Sequence, residues 1–170
     1  MPWILISHPP SFRKLCEAYR EEAAKAGRKL ALGQSVGAHR SVHLGKNRAE
    51  AYALGESAAG QAWPDYFAPF GFFEAFRFPG ETTKVPENYE RMVECKFELV
   101  GTVDDIKREF EAMLENSGVE WFGWYFDQGV MSWDEQRRQM ELFSKVLDEF
   151  KDGTPGSKKA PKVAAESVAS

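Results

Sequence analysis

The chain has 170 residues, 43% hydrophobic and 28% charged, which suits one soluble globular domain with its own core. Its formal charge of −4 offers no basic footprint for nucleic acid or anionic lipid, and the opening PWILIS is too short to span a bilayer and lacks a basic flank or cleavage site. The expectation is a cytoplasmic protein binding neither nucleic acid nor membrane, with Cys16 and Cys95 as packing thiols rather than a disulfide or zinc site.

Trp3 to Ser7 reads as a short buried strand ending in the rigid His8-Pro9-Pro10 loop. Ser11 opens a helix whose stripe is Phe12, Leu15, Cys16, Tyr19, Ala23 and Ala26, stopped at Gly27. Ser35 to Leu44 alternates: Val36, Ala38, Arg40, Val42 and Leu44 share one face, and Gly37, His39, Ser41 and His43 the other. Asn47 with Glu50 starts an alanine-rich helix running to about Gly60.

Trp63 to Gly80 then loses any sustained period, with eight aromatics among prolines and glycines. It is expected to be an irregular excursion, either covering one end of the core or forming a lid whose Trp63, Phe67, Phe70 and Phe73 line an apolar substrate pocket. A short helix from Glu87 to Glu94 leads to Phe97–Val100, a stubby strand or extended linker. Thr102 with Asp105 caps a helix with the stripe Val103, Ile106, Phe110, Met113 and Leu114, ending at Asn116 to Gly118. VEWFGWYF, residues 119–126, is a strand too apolar to have either face in water. Ser132 with Glu135 caps the last helix, whose inner face is expected to carry Met140, Phe143, Val146, Leu147 and Phe150. Residues 151–170 are small, polar and proline-containing, and are expected to be a disordered tail after a 1–150 domain.

Four strand–helix pairs in this order predict an α/β wound sheet, in which ligands sit at the carboxyl ends of the strands. That rule selects Ser7 and His8, His43 to Lys46, and Asp127, Gln128 and Gly129. His8 is the candidate acid–base, against the alternative of a solvated loop histidine. Asp127 and Gln128 offer an acceptor and donors for a flavin edge or a polar substrate group, or Asp127 caps its own turn. His39 and His43 share a face without a third metal ligand. The chain carries no P-loop, GxGxxG, GxSxG, CxxC or HExxH pattern, and nothing identifies a nucleophile.

The stretches AYREEAAKAGRKL, AHRSVHLGKNRAEAYA, LVGTVDDIKREFEAMLE and FDQGVMSWDEQRRQMELFSKVLDEF, in this order and spacing, resemble the carboxyl-terminal portion of luciferase-like flavin-dependent monooxygenases over Trp3 to Phe150. The resemblance implies a partial TIM (β/α)8 barrel, roughly its carboxyl-terminal half, with an aromatic-rich insertion. It also implies reduced FMN, alternatively F420, acting with O2 on a small organic substrate. By position it carries over Ser7, Asp127 and Gln128 toward the cofactor, His8 toward the reacting atoms, and the aromatic segment toward the substrate. A barrel of eight units needs roughly 250 residues, so the amino-terminal half with its phosphate site lies outside the resemblance. Half a barrel leaves open edges and an uncovered inner face, which predicts a homo-oligomer or a complex with a separate amino-terminal half. A non-catalytic half-barrel serving as an interaction or structural subunit is the competing reading, with a small-ligand binding module behind it.

Overall fold

The computed structural model describes residues 2–4 and 8–150. Along the chain run β1 (Trp3–Ile4), α1 (Pro9–Lys25), β2 (Gly37–Leu44), α2 (Arg48–Ala59), α3 (Ala62–Phe67), α4 (Tyr89–Glu94), β3 (Glu98–Gly101), α5 (Val103–Ser117), β4 (Trp121–Tyr125) and α6 (Trp133–Leu147). The expected tail, 151–170, and Ser7 lie outside the described residues.

The sheet is parallel and built around β2, which pairs with each of the other three strands. Its Gly37, Ser41 and Gly45 amides donate to the carbonyls of Pro2, Phe97 and Gly101. Alternate residues of a strand direct their backbone groups to the same edge, so β1 and β3 lie end to end along one edge of β2. β4 follows the other edge, with Gly37 opposite Trp121 and Ser41 opposite Tyr125. Thus Glu98–Gly101 is a strand and not a linker.

The alternation read from the sequence sorts the β2 side chains as expected. Val42 and Leu44 pack with Leu99, Ile106, Phe110, Phe143 and Val146 beneath α5 and α6. Ala38 and Val36 pack with Phe12, Cys16 and Val119 beneath α1. The opposite face carries His39, Ser41 and His43, and at its β3 side it is covered by α2 and α4, whose Ala51, Tyr89, Met92 and Val93 pack with Val100.

Two expectations are corrected by this packing. The aromatic strand is not buried on both faces: Phe122 and Trp124 lie under the helices, whereas Trp121 is 55% exposed on the opposite side and Trp3 of β1 45%. On α6, Phe143 and Val146 are buried, but Met140 and Leu147 point outward and Gln139 takes the inner position.

The stretch 63–80 is not irregular. It forms α3 and two short 3-10 turns, Ala68–Phe70 and Phe72–Phe76, separated by Gly71 at φ 75°. Pro64 and Pro69 sit in the first turns of α3 and of the first 3-10 turn, where a missing amide costs nothing. The following loop is stapled by Arg91, whose guanidinium donates to Glu81 at 2.6 Å and lies over the Phe78 ring at 4.7 Å. Among the described residues no helix is long and apolar enough to cross a membrane.

Candidate functional site

At the carboxyl ends of the strands, α2 and the β4–α6 loop enclose a cleft of about 200 Å³ lined by Leu54, Ser57, Ala58, Val130, Met131, Ser132 and Glu135. Local bonds hold the loop together. Asp127 Oδ1 accepts from the amides of Val130 and Met131 at 2.9 and 3.0 Å, and Oδ2 accepts from Gln136 Nε2 at 2.9 Å. Gly129, at φ 85°, makes the turn possible. Asp127 therefore organises its own turn, while the Gln128 side chain stands exposed beside it.

Across the cleft floor the charges are paired. Glu135 receives bonds from Arg138 at 3.0 Å and from Gln139 at 2.9 Å, and Arg138 also reaches Glu50 at 3.4 Å. Burial would raise the Glu135 carboxyl, but these bonds, with the fields of Arg138 and His43, bring it below its ordinary value.

His8 lies elsewhere, as the N-cap of α1. The Ser11 amide donates to Nδ1 at 3.4 Å, and the Ser11 hydroxyl pairs with Nε2 at 2.9 Å. Pro9 and Pro10 fill the first helical positions behind it. The ring is buried against Phe78, with centroids 5.8 Å apart, and burial lowers its pKa, with a backbone bond at Arg77 opposing and the Lys14 charge adding. Both ring nitrogens are thus engaged within the first turn of the helix.

Of the four aromatic candidates, Trp63 packs on Phe67 (4.3 Å) and edge-on to Phe97 (4.6 Å). Phe73 is buried against Phe76, and Phe70 is exposed. This segment is continuous with the core around α4.

A group that the sequence reading did not bring together sits where α2 and α4 cover the sheet. His43 and Glu98, both fully buried, face each other with Nδ1 3.3 Å from Oε2. His43 Nε2 lies 2.8 Å from the Phe126 carbonyl, next to the Asp127 turn. Tyr89 approaches them over Gly55, where a Cβ would stand 2.0 Å from the phenol oxygen and 2.7 Å from Nδ1. The signal was available: His43 and Glu98 are polar residues inside strand-forming apolar runs.

As a flavin site these residues are incomplete. The Asp127 carboxylate is committed to its turn, and the Trp3 ring already covers Gly37 and stands beside Gly123, leaving one aromatic wall without a phosphate cradle among the described residues. Completion requires groups from outside them.

No protein-family profile matches the chain, and neither does any curated protein. Solved structures do match. The oxygenating constituent of 3,6-diketocamphane monooxygenase from Pseudomonas putida, a type II Baeyer-Villiger monooxygenase in complex with FMN, superposes at TM-score 0.68 and 21% identity over 85% of this chain and 41% of that one. Monooxygenase RslO1 from Streptomyces bottropensis gives 0.58 and 21% over 85% and 39%. A long-chain alkane monooxygenase gives 0.57 and 16% over 93% and 38%. The chain therefore spans about two fifths of the length of the solved structures it matches. These neighbours are luciferase-like flavin monooxygenases, and what the chain shares with them is the fold, an open parallel sheet with its helices corresponding to part of their barrel.

Proposed function

We propose that this chain is the carboxyl-side portion of a luciferase-like flavin-dependent monooxygenase, forming one wall of a site that oxidises a small organic substrate with O2. The observation that carries this reading is the superposition on an FMN-binding monooxygenase over 85% of the chain. Reduced flavin, FMN or alternatively F420, supplies the activation of dioxygen when bound; the protein's part is to exclude water and hold the substrate. In this reading Gln128 and Ser7 face the cofactor, Asp127 holds the Gln128 turn in place, and Trp63, Phe67, Phe70 and Phe73 belong to the substrate side. His8 serves as acid–base only if it exchanges its Ser11 bonds for the substrate. The remaining barrel comes from a second copy or a separate amino-terminal half, within the cytoplasm.

The second reading, a half-barrel interaction subunit without flavin chemistry, is favoured by the commitment of Asp127 and His8 to local bonds. Titration of purified protein into FMN and F420, followed by flavin fluorescence, separates the two. Saturable binding to either supports the enzyme reading. Absence of binding to both, by the chain alone and with an added amino-terminal half of such an enzyme, overturns it.

A further inference from the structure

The tautomer of His43 is fixed by its surroundings. A carbonyl oxygen only accepts, so the 2.8 Å contact with Phe126 places a proton on Nε2. Were the ring neutral and Glu98 ionised, a nitrogen lone pair would then face a carboxylate oxygen at 3.3 Å, with both side chains fully buried. Two acceptors in that position, away from water, repel each other without compensation.

The surrounding groups do not resolve the conflict. His43 Nδ1, both Glu98 oxygens, the Tyr89 hydroxyl and the Ser41 hydroxyl are all buried without a hydrogen-bond partner in the arrangement described. Tyr89 from α4 and Tyr125 from β4 both feel the Glu98 charge, Glu56 of α2 acts on Tyr89, and Glu135 of α6 lies within the field of His43. Burial, followed by the Glu98 charge, pushes the Tyr89 phenol up, so it stays protonated and serves as a donor. At Gly55 the Tyr89 hydroxyl and His43 Nδ1 converge where a Cβ would stand, so only glycine lets the two groups approach there.

We propose that His43 and Glu98 share one buried proton, with Tyr89 as a second donor to the carboxylate, and that this triad positions the β4–α6 loop through the Phe126 carbonyl. With one proton between ring and carboxylate, each acceptor gains a donor and the pair carries no net charge. The bond to Phe126 then ties the end of β4, one residue before Asp127, to β2 and β3. His43 is in this sense a positioning residue, and the inference stands whether or not a flavin binds.

The test is NMR on the full-length protein with ¹⁵N-labelled histidine and ¹³C-labelled glutamate. The expected result is one exchange-protected, strongly downfield proton linking the His43 ring to Glu98, besides the Nε2 proton, with His8 and His39 as internal references. Glu98→Gln replaces the proton with an amide donor to Nδ1, so that downfield resonance is lost while the Nε2 signal persists. Tyr89→Phe keeps the resonance and shifts it. A wild-type His43 ring with a single proton facing an ionised Glu98, and no downfield signal, overturns the proposal. The wild-type spectrum decides this even if Glu98→Gln fails to fold.

Discussion

The carboxamide of Gln139 takes the place of a neighbouring strand for Leu44, accepting from its amide and donating to its carbonyl, both at 2.8 Å. Pairing of β4 with β2 ends at Ser41, so the last residues of β2 would otherwise leave that edge bare. The Trp124 indole adds a bond to the Val42 carbonyl at 3.2 Å on the same edge. Gln139 is fully buried and is itself oriented by Glu135.

Gln139→Ala orphans a buried amide and a buried carbonyl together, at roughly 1–3 kcal/mol each. Denaturant unfolding is expected to show a loss of about 2–6 kcal/mol. A loss below about 0.5 kcal/mol means the edge is satisfied in some other way.

The α5 capping box gives an acid-sensitive element. Thr102 accepts from the Asp105 amide at 3.2 Å, and Asp105 accepts from the Thr102 amide at 2.9 Å and its hydroxyl at 2.8 Å. These bonds, the backbone one first, hold the Asp105 carboxyl below its ordinary value. A carboxyl depressed on folding contributes its full stabilisation above the ordinary carboxylate range and loses it as pH falls through the lowered value. Thr102→Ala is expected to cost about 1 kcal/mol near neutrality. Asp105→Asn is expected to flatten the acid limb of a plot of melting temperature against pH; an unchanged limb excludes this source.

The caps were legible because they are local: Asn47 with Glu50, Thr102 with Asp105 and Ser132 with Glu135 each close within three residues, and all three form. The two faces of β2 were legible for the same reason, a period of two over eight residues. Gln139 was not, since a polar residue in an amphipathic helix is assigned to water unless one knows that a strand edge ends opposite it. His8 was read as a loop residue although Pro9 and Pro10 mark a helix start, and that signal was present. The helical order of 63–76 was hidden by its aromatics, which pack by contact with Phe97 and not by period. The end-to-end placement of β1 and β3 depends on pairing between distant segments, which no local pattern encodes.

Gly33 and Gly118 meet backbone to backbone, both in the left-handed region at φ 74° and 66°. A Cβ on Gly33 would stand 2.2 Å from the Gly118 carbonyl carbon, and one on Gly118 would stand 2.4 Å from the Leu32 oxygen. Neither neighbour is a side chain that can rotate away. Alanine at either position is expected to destabilise by more than about 1 kcal/mol, the left-handed strain alone. Because the sites touch, the double variant is expected to cost less than the sum. Additive costs would show that the close approach is dispensable.

Both described thiols are buried and free. Burial pushes Cys95 up to about 12, against the opposing Arg91 charge, and its Sγ donates to the Arg91 carbonyl at 2.6 Å. Burial also raises Cys16, with the Glu17 charge adding to it. Groups raised on folding contribute their full stabilisation below the ordinary thiol value of 9.0, and for Cys95 it is lost as pH climbs from there toward about 12. At pH 8 a disulfide reagent is expected to leave both thiols unmodified in the native protein and to titrate both in denaturant. Rapid native labelling of either would contradict its burial.

Trp133, Met140 and Leu147 recur every seven residues along the outer side of α6 and are 80%, 58% and 40% exposed. The last of them, Leu147, lines a shallow pocket with Trp121 of β4, which is also open, and the outer edge of β4 pairs with nothing among the described residues. An apolar helix stripe next to a free strand edge is the surface on which another strand–helix unit would seat, the strand taking the edge and the helix the stripe. Light scattering during size exclusion is expected to find the purified chain larger than a monomer. Met140→Glu, which introduces a charge into the row without touching the core, is expected to weaken association about tenfold while leaving the melting temperature of the dissociated chain within a few degrees. A monodisperse monomer at high micromolar concentration would mean that the stripe and edge are not used by a second copy, and mixing with an amino-terminal half-barrel then becomes the decisive measurement.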